Sequence, residues 1–249
     1  MFLVLPDSQA VAAHVSNHLI QLIQKKPNAV LGLATGGTME PVYQQFVQQV
    51  NALQLDVSKL HSFNLDEYVG LSPAHPQSYN YYMHQHLFNL LPFTEAQLHL
   101  PNGLATDWQA ECLHYSSRIQ EEGGLDLQLL GIGSNGHIGF NEPGTSFDSR
   151  THVVELSERT RIDNGRFFEN SAEVPHHALT MGIQDIVQAR EILLVVTGAH
   201  KAQTMLNYFE SSASEAMPAT VLKQHTNVRI IMDTAAASLL PETVLHQAA

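Results

Sequence analysis

The chain alternates short apolar runs with longer segments of helical period, and that alternation carries the first prediction of its fold. Phe2 to Leu5 predicts a short strand. From Ser8 to Gln24, Val11, Val15, Leu19, Leu22 and Ile23 fall on one face of a helix. Ala29 to Ala34 predicts a buried strand, followed by a helix from about Glu40 to Leu53. Leu60 to Leu65 predicts the next strand. Trp108 to Glu121 predicts a helix and Asp126 to Ile132 an apolar strand. Ile192 to Val196 predicts a strand leading to a helix from about His200, and Val228 to Met232 a late strand. Such alternation predicts an α/β fold, a mostly parallel sheet with helices on both faces. No fixed-period repeat or low-complexity linker interrupts it, and 249 residues suit one large α/β domain or two small ones.

Ligands of such sheets sit beyond the carboxyl ends of the strands, so the residues that follow each strand are the candidates for chemistry. The first run is Thr35-Gly36-Gly37-Thr38. Two glycines at a helix entrance let backbone N–H groups approach a phosphate, and Thr38 adds a hydroxyl. The spacing is neither a P-loop nor a dinucleotide fingerprint, and it equally suits a plain strand-to-helix turn. The second run is Asp66-Glu67-Tyr68. A carboxylate there can serve as a base on a carbon acid, although taken alone the pair reads more readily as a cap or a solvated loop acid. The third, Gly131 to Gly144, holds five glycines in fourteen residues, with His137 and Glu142 five apart. A histidine with a carboxylate partner is a tuned proton-transfer group near neutral pH. The fourth is basic: Arg166 in Asn164-Gly165-Arg166, and Lys201 after Gly198-Ala199-His200. A lysine at a strand end suits a phosphate, and equally a helix surface.

Charge narrows the partners. The net charge is −12 and charged residues are only 14% of the chain, against about 25% in an average soluble protein. That field repels nucleic acid and anionic membranes, so any anionic ligand needs a locally positive pocket. The single cysteine, Cys112, allows no intrachain disulfide and suits a reducing cytoplasm. Met1 to Pro6 lacks the basic start of a signal peptide, and no run approaches a membrane span. The histidine pairs His14/His18, His84/His86 and His176/His177 read as surface pairs, with no third metal ligand nearby in sequence. The tyrosines 79, 81 and 82 read as packing.

Taken together, the strings LGLATGGT (31–38), FNLDEYVGL (63–71), HPQSY (75–79), GIGSNGHIGFNEPG (131–144) and SRT (149–151), and Arg166 to Phe168 with its flanks, resemble the glucosamine-6-phosphate deaminase family. The match runs in order along nearly the whole chain. The resemblance implies a Rossmann-like α/β fold in a single domain over residues 1–249, with a mobile lid near 152–181. It implies aldose–ketose isomerisation of glucosamine 6-phosphate, with loss of ammonia, to fructose 6-phosphate. By the same resemblance, Asp66 is the base at C2 and C1, and His137 opens the sugar ring with help from Asn135 and Glu142. By the same resemblance, Gly36, Gly37, Thr38, Arg166 and Lys201 bind the substrate, the last four of them its phosphate. No cofactor and no metal are expected. The expected partner is the small sugar phosphate, and the expected assembly is a monomer or small homo-oligomer. Some family members carry Asp where this chain has Asn135, so His137 is expected to pair through Glu142 or an amide. The longer, allosterically activated hexamers carry basic residues after the SRT string and a longer tail. Here His152 and Val154 stand there and the chain stops at Ala249, so activation by N-acetylglucosamine 6-phosphate is not expected. The competing readings are a 6-phosphogluconolactonase, which has no use for a base at Asp66, and a sugar-phosphate-sensing module of a transcription regulator.

Overall fold

The computed structural model describes residues 2–156, 168 and 173–242. Ten strands are described: β1 (Phe2–Leu5), β2 (Val30–Leu33), β3 (His61–Asn64), β4 (Asp66–Tyr68), β5 (Leu98–His99), β6 (Leu127–Leu130), β7 (His152–Glu155), β8 (His177–Thr180), β9 (Ile192–Val196) and β10 (Val228–Asp233). The helices are α1 (Ser8–Lys25), α2 (Glu40–Leu53), α3 (Tyr79–His86), α4 (Trp108–Glu121), α5 (Ile183–Val187) and α6 (Ala202–Glu210).

Seven strands form one sheet in the order β1-β10-β9-β6-β2-β3-β5, and every described pairing in it is parallel. β2, β6 and β9 are buried throughout, as strands covered on both faces must be. Side-chain fit sets the β2–β6 contact. Gly32 lies opposite Gln128, and a Cβ at residue 32 would come 2.0 Å from the Gln128 Oε1 atom. From β2 the chain builds outward through β3 and β5, then returns to the other side of β2 as β6. That reversal opens a crevice at the carboxyl ends of β2 and β6, where open α/β sheets bind ligands.

Local chemistry explains the helices. Asp7 accepts a hydrogen bond from the Ala10 N–H and caps α1, whose Val11, Val15, Leu19 and Ile23 are buried as the periodicity predicts. Leu22 is only half-buried. Asp107 caps α4 in the same way. Asp126, at the entrance to β6, accepts from Val30 N–H and from Lys26 and Arg190, which locks the amino ends of β2 and β6 together.

The structure departs from the sequence reading beyond residue 64. The predicted strand Leu60–Leu65 stops at Asn64, and residues 66–68 join a second, antiparallel sheet, β4-β8-β7. The helix read from His200 begins with a 3-10 turn at Ala199–Lys201 and becomes α-helical at Ala202. The sequence of helix α3 has no apolar period to predict it, and Met83 is its one fully buried residue.

Candidate active site

The crevice holds a cavity of about 560 Å³, lined by the turn after β2, by β4, by α3 and by the loops after β6 and β9. It gathers Gly36, Gly37, Thr38, Asp66, His137 and Lys201. Its volume suits a small ligand.

The turn after β2 is held open by its backbone. Gly36 has φ +107°, and its carbonyl accepts from Met39 N–H at 2.8 Å and from the Tyr82 hydroxyl at 2.9 Å. A Cβ at Gly36 or Gly37 would meet no atom within 4 Å, so the glycines leave open space above the turn. No side chain caps α2, whose amino end lies next in the chain. Thr38 Oγ1 lies 3.3 Å from Thr197 Oγ1, and the Lys201 ammonium donates to the Ile132 carbonyl at 2.8 Å. Backbone N–H groups, a hydroxyl and an ammonium beside one cavity make the local positive site that a chain of net charge −12 needs for an anion.

Asp66 sits where the chain passes from the large sheet to the small one, paired in register with Thr180. It is buried, at 6% exposure, yet lines the cavity. Burial, reinforced by the neighbouring Glu67, pushes its carboxyl up to about 8. Glu67 points elsewhere. Its carboxylate accepts from the backbone N–H groups of Tyr68, Tyr79 and Asn80, fastening β4 to the amino end of α3. Burial pushes Glu67 up to about 7 although those three bonds favour its charge. Of the two adjacent acids, one faces the cavity and the other holds the wall.

The loop after β6 presents His137. Asn135 Nδ2 donates to Glu142 Oε2 at 2.6 Å, which turns Asn135 Oδ1 toward the histidine. That oxygen accepts from His137 N–H at 3.2 Å and lies 2.8 Å from His137 Nδ1. A carbonyl oxygen cannot donate, so Nδ1 carries the proton and Nε2 is the basic nitrogen. Glu142 Oε1 is 3.6 Å from Nδ1, close enough to favour the imidazolium once it forms. Both arrangements expected for Asn135 are therefore present, a hydrogen bond from the ring to its side-chain amide oxygen and Glu142 behind it. Asn135 and Glu142 back the histidine instead of lining the cavity. Gly133 makes room for the ring: a Cβ there would lie 2.1 Å from His137 Cε1.

Several positions fall outside the sequence assignment. Arg166 lies outside the described residues, as do residues 157–167 and 169–172 of segment 152–181 as a whole; that segment's ends form β7 and β8, and its Phe168 lines the cavity. Tyr82, which the sequence assigns to packing, donates its hydroxyl to the Gly36 carbonyl. Buried Asn141 donates to the carbonyls of Ile138 and Met181 and anchors the histidine loop to the end of β8; its place inside the matched string was the only signal. The SRT string does not line the cavity. Arg150 and Thr151 bind Asp185 of α5, at 2.9 and 2.6 Å.

A parallel sheet whose switch-point crevice collects a glycine turn, a buried carboxyl group and an oriented imidazole is the framework of an acid–base enzyme for small anionic ligands. Residues 7–231 match the family model for glucosamine-6-phosphate isomerases and 6-phosphogluconolactonases, and the chain belongs to this family. It is 49% identical to a glucosamine-6-phosphate deaminase of Oceanobacillus iheyensis, over 92% of this chain and 91% of the relative. It is also 49% identical to one of Rhodopirellula baltica, over 95% and 94%. A solved structure described as a monomeric glucosamine-6-phosphate deaminase superposes with a TM-score of 0.93 at 43% identity, covering 96% of this chain and 99% of that one. The 6-phosphogluconolactonase of Thermotoga maritima shares the fold, with a TM-score of 0.75 at 18% identity over 94% and 99%.

Proposed function

We propose that this chain deaminates glucosamine 6-phosphate, with water, to fructose 6-phosphate and ammonia. The observation that carries this reading is Asp66: a buried carboxyl group that lines the same cavity as an imidazole with a fixed tautomer. A carbon acid next to a protonated amine needs such a base, and its ammonium, placed beside Asp66, restores the carboxylate that burial disfavours.

The steps follow from the groups present. The phosphate docks on residues 36–38 and Lys201, with Arg166 as a further ligand. Nε2 of His137 takes the O1 proton of the pyranose and returns it to the ring oxygen, and Glu142 steadies the transient imidazolium through Asn135. Asp66 removes the C2 proton of the opened aldehyde while an ammonium proton passes to O1, which leaves a cis-enolamine, and Asp66 then delivers the C2 proton to C1. The resulting C2 iminium adds water and expels ammonia. Every step moves a proton between groups already held in place, which is catalysis by positioning. Segment 152–181 covers the bound sugar, with β7 and β8 as its fixed ends, inside one domain spanning residues 1–249. The protein acts as a monomer in the cytoplasm, with no nucleic-acid or membrane partner. Three observations support this: the monomeric relative, the acidic charge, and the lack, among the described residues, of any helix long and apolar enough to cross a membrane.

The test is ammonia and fructose 6-phosphate formation by purified protein in chelator, with no cofactor added. Equimolar products establish the reaction. Sugar binding without ammonia release would overturn it in favour of a sensing module, and hydrolysis of 6-phosphogluconolactone instead would favour the lactonase.

A further inference from the structure

We propose that His61, His99 and Glu122 form a binding site for a divalent transition metal ion of the zinc type, apart from the sugar-phosphate cavity, which pins the edge strand of the large sheet. Residues far apart in sequence supply it: His61 opens β3, His99 closes β5 and Glu122 follows the last turn of α4. None of them lines the cavity.

The donor atoms already have coordination spacing. His61 Nδ1 is 3.4 Å from His99 Nε2 and 3.6 Å from Glu122 Oε1, and all three atoms lie within 4.8 Å of one another. An ion bound tetrahedrally at about 2.0–2.1 Å sets its ligand atoms about 3.3–3.4 Å apart. Two edges of the triangle are therefore close to the spacing that an ion demands. His99 is held from behind: it is buried, its ring packs on Phe63 with centroids 4.3 Å apart, and its carbonyl accepts from the Tyr115 hydroxyl. The two imidazoles are 25° from parallel, so aiming both lone pairs at one ion takes rotation about χ2, a soft torsion in histidine.

The electrostatics divide. Arg118, one turn before Glu122 on α4, opposes a cation. The Glu122 carboxylate and the net charge of −12 favour one. Two imidazoles and one carboxylate select Zn²⁺, Co²⁺ or Ni²⁺ over Mg²⁺ or Ca²⁺. Half-exposed His61 and Glu122 leave water access to the remaining position. A bound ion would tie β3, the two-residue edge strand β5 and the end of α4 into one unit.

The probe is Zn²⁺, titrated into the chelator-treated full chain against a chromophoric chelator, with Co²⁺ absorption as a second readout. The expected result is one site of micromolar affinity or tighter and no stoichiometric Mg²⁺ binding. H61Q and E122Q each should weaken Zn²⁺ by at least about tenfold while keeping the wild-type circular dichroism, and H14Q should leave it unchanged. These positions are at least partly exposed, so the variants avoid disturbing the buried His99. Absence of a stoichiometric site overturns the proposal. So does a site that survives either substitution, because the ion then sits on other histidines. The readout is binding, so it can fail while ammonia release in chelator succeeds, or the reverse.

Discussion

Replacing Asp66 with Asn should abolish turnover and raise stability, by an amount that grows with pH. Asn has the shape of a protonated aspartate but cannot ionise. In the folded protein burial pushes the Asp66 carboxyl up to about 8, against 3.8 for an ordinary aspartate. An acid whose pKa is raised on folding binds its proton more tightly in the native state, so the native state loses stability as pH rises between those two values. Four pH units at about 1.4 kcal/mol each set a ceiling of about 6 kcal/mol above pH 8. Water entering the open cavity relieves part of that cost, so we expect D66N to gain at least about 1–2 kcal/mol at pH 8.5, or about 3–6 °C in Tm. Near pH 4 the two proteins should melt together. The assay is thermal unfolding of both proteins from pH 4 to 9, beside ammonia release. Loss of general-base catalysis should cost at least about 10²–10⁴-fold in kcat. A Tm difference that does not change with pH would refute the buried-carboxyl argument, and near-normal turnover would remove Asp66 from the mechanism.

The same carboxyl shapes the pH profile: kcat/KM, which reports the free enzyme, should fall on the acid side from about pH 8, roughly tenfold per unit. The limb in kcat should lie lower, because the bound ammonium favours the carboxylate; a wild-type kcat/KM flat from pH 6 to 9 would contradict this. Gly133→Ala should displace the His137 ring and lower kcat by at least about tenfold with little change in Tm, since the added methyl meets the imidazole at 2.1 Å. Initial rates should be hyperbolic in glucosamine 6-phosphate and indifferent to N-acetylglucosamine 6-phosphate; a sigmoidal curve relieved by that sugar would show an effector site.

Much of the framework is written locally. The buried strands β2 and β9 are continuous apolar runs, β6 is interrupted only by Gln128, and α1 and α4 carry both a period and an aspartate cap, so short-range chemistry alone announces them. The loop strings around Asp66 and His137 are equally local, and their order along the chain placed each group just after an apolar strand. What sequence could not supply is which way each side chain faces. Asp66 and Glu67 are neighbours of one type, and only the passage from the large sheet into β4 turns the first to the cavity and the second to α3. The tautomer of His137 follows from an amide whose orientation Glu142 fixes across seven residues.

The histidines show the same division. Pairs close in sequence form no metal's ligand set among the described residues: His18 lies 2.9 Å from Glu191, and His84 pairs with Asn89. His61, His99 and Glu122 are separated by tens of residues and carry no motif. Parallel pairing of β3 with β5, and the point where α4 ends, bring them together. The sequence by itself determined the alternation of strands and helices, the acidic field, and the candidate residues after each strand, because those depend on residue type and short-range spacing. The tertiary structure decided which side chains share a cavity, which proton an imidazole holds, and how far burial shifts a carboxyl group. Those depend on desolvation and on contacts between segments that the chain order keeps apart.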